Sequence, residues 1–199
     1  MKARILRIAL ASFIGLLIAA GIAWWQVQHA TRQVETTAAQ VGGPFQLTEH
    51  TGRAVTDADY RGKYLLIYFG YTYCPDVCPT ELSTMTAALD RLGPLAERIQ
   101  PMLISIDPAR DTPEHLAEYV PLFHPRLIGL TGTPEQTAAV ARAYRVYAAK
   151  APGSGGEDYL MDHSSFVYLM GTDGAFMAVF PGGTSPDKMA ADIRKRIGA

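Results

Sequence analysis

The stretch YLLIYFGYTYCPDVCPTELSTMTAALDRL, residues 64–92, joins a strand signal to a helix signal through two cysteines. Residues 64–69 are an apolar and aromatic run, the pattern of a buried strand. Residues 79–92 place Leu82, Met85, Leu89 and Leu92 on one helical face. Cys74 and Cys78 each precede a proline, and a residue before proline avoids the α region. The helix is therefore expected to start at Pro79, with Cys78 near its N-cap and Cys74 in the loop before it. Both sulfurs then lie near the positive end of a helix, which favours thiolate over thiol.

The pattern continues outward from that junction. PFQLTEHTGRAV, residues 44–55, alternates around Thr51-Gly52 and reads as a small hairpin. PMLISI, residues 101–106, is a second buried strand. Thr112-Pro113, Thr133-Pro134 and Ser185-Pro186 each set a hydroxyl at an N-cap and proline at the first helical position. Gln136 completes a capping box with Thr133. SFVYLM (165–170) and AFMAVF (175–180) flank Gly171-Thr-Asp-Gly174 as a hairpin. The order is hairpin, β, α, β, α, short β, α, hairpin, α. It implies an α/β, thioredoxin-like fold, with a central mixed sheet flanked by helices. Residues 148–162 are the one long irregular stretch expected, rich in Gly and Ser, and loops of that length are uncommon unless functional or mobile.

Before this domain, Ile8 to Trp25 is a run of 18 uncharged residues. As a helix it spans about 27 Å, close to the hydrocarbon thickness of a bilayer. Lys2, Arg4 and Arg7 precede it, which favours a cytoplasmic N-terminus and an exported domain. Trp24 and Trp25 fall at the far interface. Ala19, Ala20 and Ala23 offer the small residues of a cleaved signal peptide, but the run exceeds the usual apolar core of one. Residues 1–25 are thus expected to be an uncleaved transmembrane anchor, residues 26–42 a polar stalk, and residues 43–199 the globular domain. The expected location is the inner (cytoplasmic) membrane, single-pass, with the domain on the periplasmic-type side.

Net charge is −1, and residues 26–199 carry −4 because the three basic residues before them have no acidic counterpart. A mildly acidic domain without a basic stripe argues against nucleic acid as a partner. With two cysteines exported to an oxidising compartment, their pairing becomes the question.

Three readings of the pair compete. As a structural disulfide it would close a five-residue loop, restraining the unfolded chain by only about 2 kcal/mol. As a redox dithiol it has three intervening residues, Pro75, Asp76 and Val77, where such motifs usually have two. A peroxiredoxin likeness at Cys78-Pro79-Thr80-Glu81 lacks the expected Pro and Thr before the cysteine. As a metal site it offers two soft thiolates, which suit copper, and imidazole is an acceptable third donor. Zinc would usually require a fourth ligand.

Five histidines are available. His29 falls in the stalk, His50 in the first hairpin, His115 inside a helix, and His124 at that helix's end, each with an ordinary surface or capping explanation. His163 ends the long loop and starts the strand SFVYLM, where it could lie beside the cysteine junction. Asp162 is a conceivable outer partner for its second ring nitrogen, although strand alternation points it away. Met161 is a conceivable soft donor, with apolar packing as its usual role.

GYTYCPDVCPTEL, SIDPARDTPEHLAEY and YLMDHSSFVYLMGTDG, in that order, resemble the Sco/SenC family from about Phe45 to Ile197. The resemblance implies a thioredoxin-like, membrane-tethered copper chaperone that assists assembly of the binuclear copper site of cytochrome c oxidase. It implies copper ligands at Cys74, Cys78 and His163, and the copper-receiving oxidase subunit as partner. The alternative function is a thiol:disulfide oxidoreductase acting through a Cys74–Cys78 disulfide on cysteines of that subunit or another exported protein. One departure is visible: Tyr73 stands where the family commonly has histidine. Asp107, Arg110 and Asp111 are expected either to shape a docking surface or to form an N-cap and turn network.

Overall fold

The computed structural model describes residues 15, 19–22, 24, 41–153, 156 and 158–198. The chain divides into two units, Met1–Gln40 and Val41–Ala199. In the first, residues 15, 19–22 and 24 are helical. Most of the expected span from Ile8 to Trp25 lies outside the described residues, and among those described no helix is long and apolar enough to cross a membrane.

In the second unit, seven strands form one sheet: β1 (Gln46–Glu49), β2 (Ala54–Thr56), β3 (Tyr64–Gly70), β4 (Ile99–Ser105), β5 (Ile128–Thr131), β8 (Phe166–Met170) and β9 (Phe176–Pro181). Their spatial order is β2-β1-β5-β4-β3-β8-β9. Strands β3, β4 and β5 run parallel, while the two hairpins add antiparallel strands at both sides. The sheet is therefore mixed, as the strand and helix order implies. β4 is its middle strand, and β3 beside it has Leu65 to Phe69 all buried, consistent with an apolar run that must face packed helices on both sides.

Four helices complete the layers: α1 (Val77–Leu92), α2 (Pro113–Tyr119), α3 (Pro134–Ala143) and α4 (Pro186–Arg196). Leu82, Met85, Leu89 and Leu92 on α1 are all buried, each stabilising the fold by about 1.5–3 kcal/mol relative to exposure. Thr112, Thr133 and Ser185 cap α2, α3 and α4 through their hydroxyls, and Thr133 with Gln136 forms the reciprocal box.

Two local expectations change. Helix α1 begins at Val77, two residues before the expected Pro79, with Asp76 as its N-cap. Proline fits in that first turn because the N–H groups there have no helical acceptor to lose. The stretch 148–162 is not irregular throughout. Ala148–Lys150 (β6) pairs antiparallel with Met161–His163 (β7), in register Ala148↔His163. His163 therefore ends this small ribbon, instead of starting the strand that follows.

Candidate metal centre

Parallel strand β3 ends at Gly70, and the chain then turns through Tyr71 to Asp76 before entering α1. Gly70 is where the backbone must be bare. A Cβ there would stand 3.0 Å from Cys78 Sγ and 2.8 Å from the Tyr68 ring. Cys78, second residue of α1, is fully buried, whereas Cys74 in the preceding loop is only partly so. Both are free thiols. The Cys78 backbone N–H points at Cys74 Sγ across 3.4 Å. This is the anion-binding use of a helix N-terminus.

The ribbon β6–β7 brings His163 to the same place. Its Nε2 lies 3.5 Å from Cys78 Sγ, and its Nδ1 lies 3.1 Å from the Ser164 carbonyl oxygen. A proton on Nδ1 satisfies that carbonyl and leaves the Nε2 lone pair facing the sulfurs. Asp162 is exposed on the opposite side of the ribbon, as alternation requires, so Ser164 supplies the contact considered for it. Met161 packs against the core. One donor atom each from Cys74, Cys78 and His163 lies within 4.8 Å of the other two. A soft ion can touch all three.

Two tyrosines complete the surroundings. Tyr68 donates its hydroxyl to Cys78 Sγ across 3.7 Å. Tyr71 accepts from the Met161 N–H at 3.1 Å. Both rings meet the His163 ring edge-on, with centroids 6.1 and 6.0 Å away. These tyrosines had no signal beyond their place in the strand and in GYTYC.

The two thiols are made unequal by this setting. Cys74 is pulled down to about 3, first by hydrogen bonding from the Cys78 thiol and also by backbone N–H groups, against the opposing effect of burial. Cys78 is pushed up, first by giving that hydrogen bond to Cys74 and then by burial. One proton is thus shared by a pair that holds a single negative charge readily and a second one reluctantly.

Asp107, Arg110 and Asp111 lie inside, and the turn network is what forms. Asp107 and Asp111 are buried, which removes them from any docking surface. Asp111 accepts from the Thr72 N–H and from the hydroxyls of Thr72 and Ser105, anchoring the cysteine loop to β4. Burial pushes its carboxyl up while those donors pull it back. Asp107 pairs with Arg110 at 2.6 Å and accepts from the Tyr159 hydroxyl, also at 2.6 Å. His50 and His124 accept backbone N–H groups from Gly129 and Arg126. His115 stacks on Tyr73 with centroids 5.2 Å apart. His29 lies outside the described residues.

The SCO1/SenC family model matches residues 33–198. The human protein "Protein SCO1 homolog, mitochondrial" is 50% identical over 155 residues, covering 77% of this chain and 52% of its own length. The chain spans about half to three-fifths of the length of such curated relatives. Among solved structures, Arabidopsis thaliana ScoI with copper bound matches with a TM-score of 0.75 at 42% identity, covering 79% of this chain and 98% of that one. Bradyrhizobium japonicum ScoI with copper bound matches with a TM-score of 0.72 at 46% identity, covering 78% and 99%.

Proposed function

The chain belongs to the SCO1/SenC family, and from that premise we propose that it is a copper chaperone serving assembly of the binuclear copper site of cytochrome c oxidase. Cys74, Cys78 and His163 hold the copper, which is cargo to be passed on. The observation that carries this reading is the convergence of two sulfurs and one imidazole nitrogen within 4.8 Å. That donor set suits copper, particularly Cu(I), and leaves zinc one ligand short. Relatives solved with copper bound support the same choice.

The residues divide the work. Cys74, with its depressed thiol pKa and partial exposure, captures the ion. Cys78 gives up its proton when the ion takes that proton's place between the sulfurs. His163 closes the site through Nε2, with Nδ1 held by Ser164. Two thiolates and an imidazole sum to zero around Cu(II) and to −1 around Cu(I), so the oxidation state biases retention against release. The receiving partner is the copper-binding subunit of the oxidase. Residues 8–25 tether the chain to the inner membrane with its N-terminus cytoplasmic and the domain on the exported side, a reading supported by their lack of charge and by Lys2, Arg4 and Arg7 before them.

Copper titration of the reduced full chain in detergent tests the site. Cys74→Ser, Cys78→Ser and His163→Ala should each weaken binding and change the Cu(II) spectrum. Unchanged affinity and spectrum in all three would sink the assignment.

A second reading is favoured by the inequality of the thiols. One accessible low-pKa sulfur beside one buried sulfur is also the arrangement of a thiol:disulfide reductase. It requires turnover of a disulfide substrate that is indifferent to His163→Ala.

A further inference from the structure

The cysteine loop and the β6–β7 ribbon come from segments far apart in the chain, and one guanidinium lies against both. The Arg110 Cζ stands 3.6 Å from the ring centroid of Tyr159, 4.5 Å from that of Tyr73 and 5.8 Å from that of Tyr71. Tyr73 immediately precedes Cys74, and Tyr159 lies four residues before His163. Arg110 is itself held by Asp107, whose second carboxylate oxygen takes the Tyr159 hydroxyl. Asp107 and Arg110 belong to the turn after β4, whose backbone bonds join Arg110 and Asp111 back to the Asp107 carbonyl. The turn is thus tied to the sheet, and through it both ligand-bearing segments are tied to one point.

A cation over an aromatic face is attracted by the ring quadrupole, and the attraction strengthens as water is excluded. Arg110 is nearly buried, with 12% of its side chain exposed, and Tyr159 is buried. Lys150 on β6 adds a second cation 3.8 Å from the Tyr159 centroid. The Met161 N–H bond to Tyr71 closes the same gap nearer the ligands.

We propose that Arg110 is the positioning residue of the copper site, its guanidinium joining the Tyr73 and Tyr159 rings so that His163 is held at ligand distance from the two thiols. The inference rests on the copper-ligand reading and assigns Arg110 no contact with the ion. It acts on one ligand of the three: the thiols share a loop and a helix start, whereas His163 depends on how the ribbon is seated. Loss of the clamp therefore lowers copper affinity through His163 alone.

The test is a double-mutant cycle on the reduced full chain in detergent, titrated with Cu(I) against a chromophoric chelator. Arg110→Gln and Tyr73→Ala are each made in the native background and in His163→Ala. In the native background each weakens Cu(I) binding, Arg110→Gln by about tenfold, the scale of lost ligand support. In the His163→Ala background neither causes further loss. The nitrogen coupling in the Cu(II) electron paramagnetic resonance spectrum weakens in step. Equal losses in both backgrounds, or no loss in the native one, would overturn the proposal. Tyr73 is 49% exposed, so its variant decides the matter if Arg110→Gln does not fold. A His163→Ala chain that binds copper normally removes the ligand reading itself. A weakened His163→Ala chain with silent Arg110 and Tyr73 variants removes only the clamp.

Discussion

His163 Nε2 stands 3.5 Å from Cys78 Sγ, although 85 residues separate the two in sequence. The Ser164 carbonyl oxygen on the other side of the ring, 3.1 Å from Nδ1, decides which nitrogen faces the sulfur. The ring meets Tyr68 and Tyr71 edge-on, which leaves its Nε2 beside the sulfur.

Removal of that ring should therefore be repairable from solution. Copper affinity of His163→Ala should recover partly in millimolar imidazole, because the space left is ring-shaped and flanked by two tyrosines. Cys74→Ser should show no such recovery. Chelator competition with and without imidazole measures both, and identical behaviour of the two variants would contradict the role given to His163.

The thiols should differ in reactivity before any metal is added. Cys74, with its pKa pulled down to about 3, should be alkylated by iodoacetamide even at about pH 5, where an ordinary thiol is almost wholly protonated. Cys78, buried with its pKa pushed up, should remain unmodified in the folded chain. Peptide mapping after timed labelling reads the two rates. Equal labelling, or labelling of Cys74 only above about pH 8, would count against the hydrogen-bonded pair.

Gly70→Ala should damage stability and copper binding together. The added methyl meets the Tyr68 ring at 2.8 Å and Cys78 Sγ at 3.0 Å, and neither neighbour is free to retreat. A cost of about 1–3 kcal/mol in denaturant unfolding is expected for such overpacking. Copper affinity should fall as well, since the sulfur itself is displaced. Native-like values in both measurements would show that the packing around Cys78 is looser than the distances indicate.

His124 should give the fold a weakness in acid. Burial first, and then the Arg126 charge, hold its pKa below the ordinary 6.5. Its Nδ1 accepts the Arg126 N–H at 3.0 Å, which requires the unprotonated ring. A depressed folded-state pKa means that stability is present above the unfolded value and is lost as pH falls through the folded one. The thermal unfolding temperature should therefore decline from about pH 6.5 downward. His124→Asn, which keeps an acceptor and cannot titrate, should flatten the decline. A variant with the native slope would locate the acid sensitivity elsewhere.

How much of this was legible in the sequence depended on the range of each interaction. Cys74 and Cys78 announce themselves because their spacing and prolines are local, and the three capped helices do so for the same reason. Helix α1 starts two residues earlier than the preference of a residue before proline implies, because a helix's first turn tolerates proline. His163 could be proposed from its place at the end of a long segment, but its ring's approach to Cys78 depends on the pairing of β6 with β7. Those strands have three residues each, too short for alternation to register. Arg110 lies in a motif whose local sequence fits a docking surface and a turn network equally well. That Asp107 and Asp111 face inward follows from Ser105, Thr72 and Tyr159, partners drawn from three separate elements.

The unequal burial of the two cysteines gives the centre a front and a back. Cys78 is enclosed by Tyr68, by the bare backbone of Gly70 and by its own helix, while Cys74 stands at the mouth. A group arriving from solvent, whether a thiolate or an imidazole of another protein, meets the Cys74 side before it can reach the Cys78 sulfur. An ion seated there would exchange its ligands in a fixed sequence, with the outer sulfur first to let go and the inner one last.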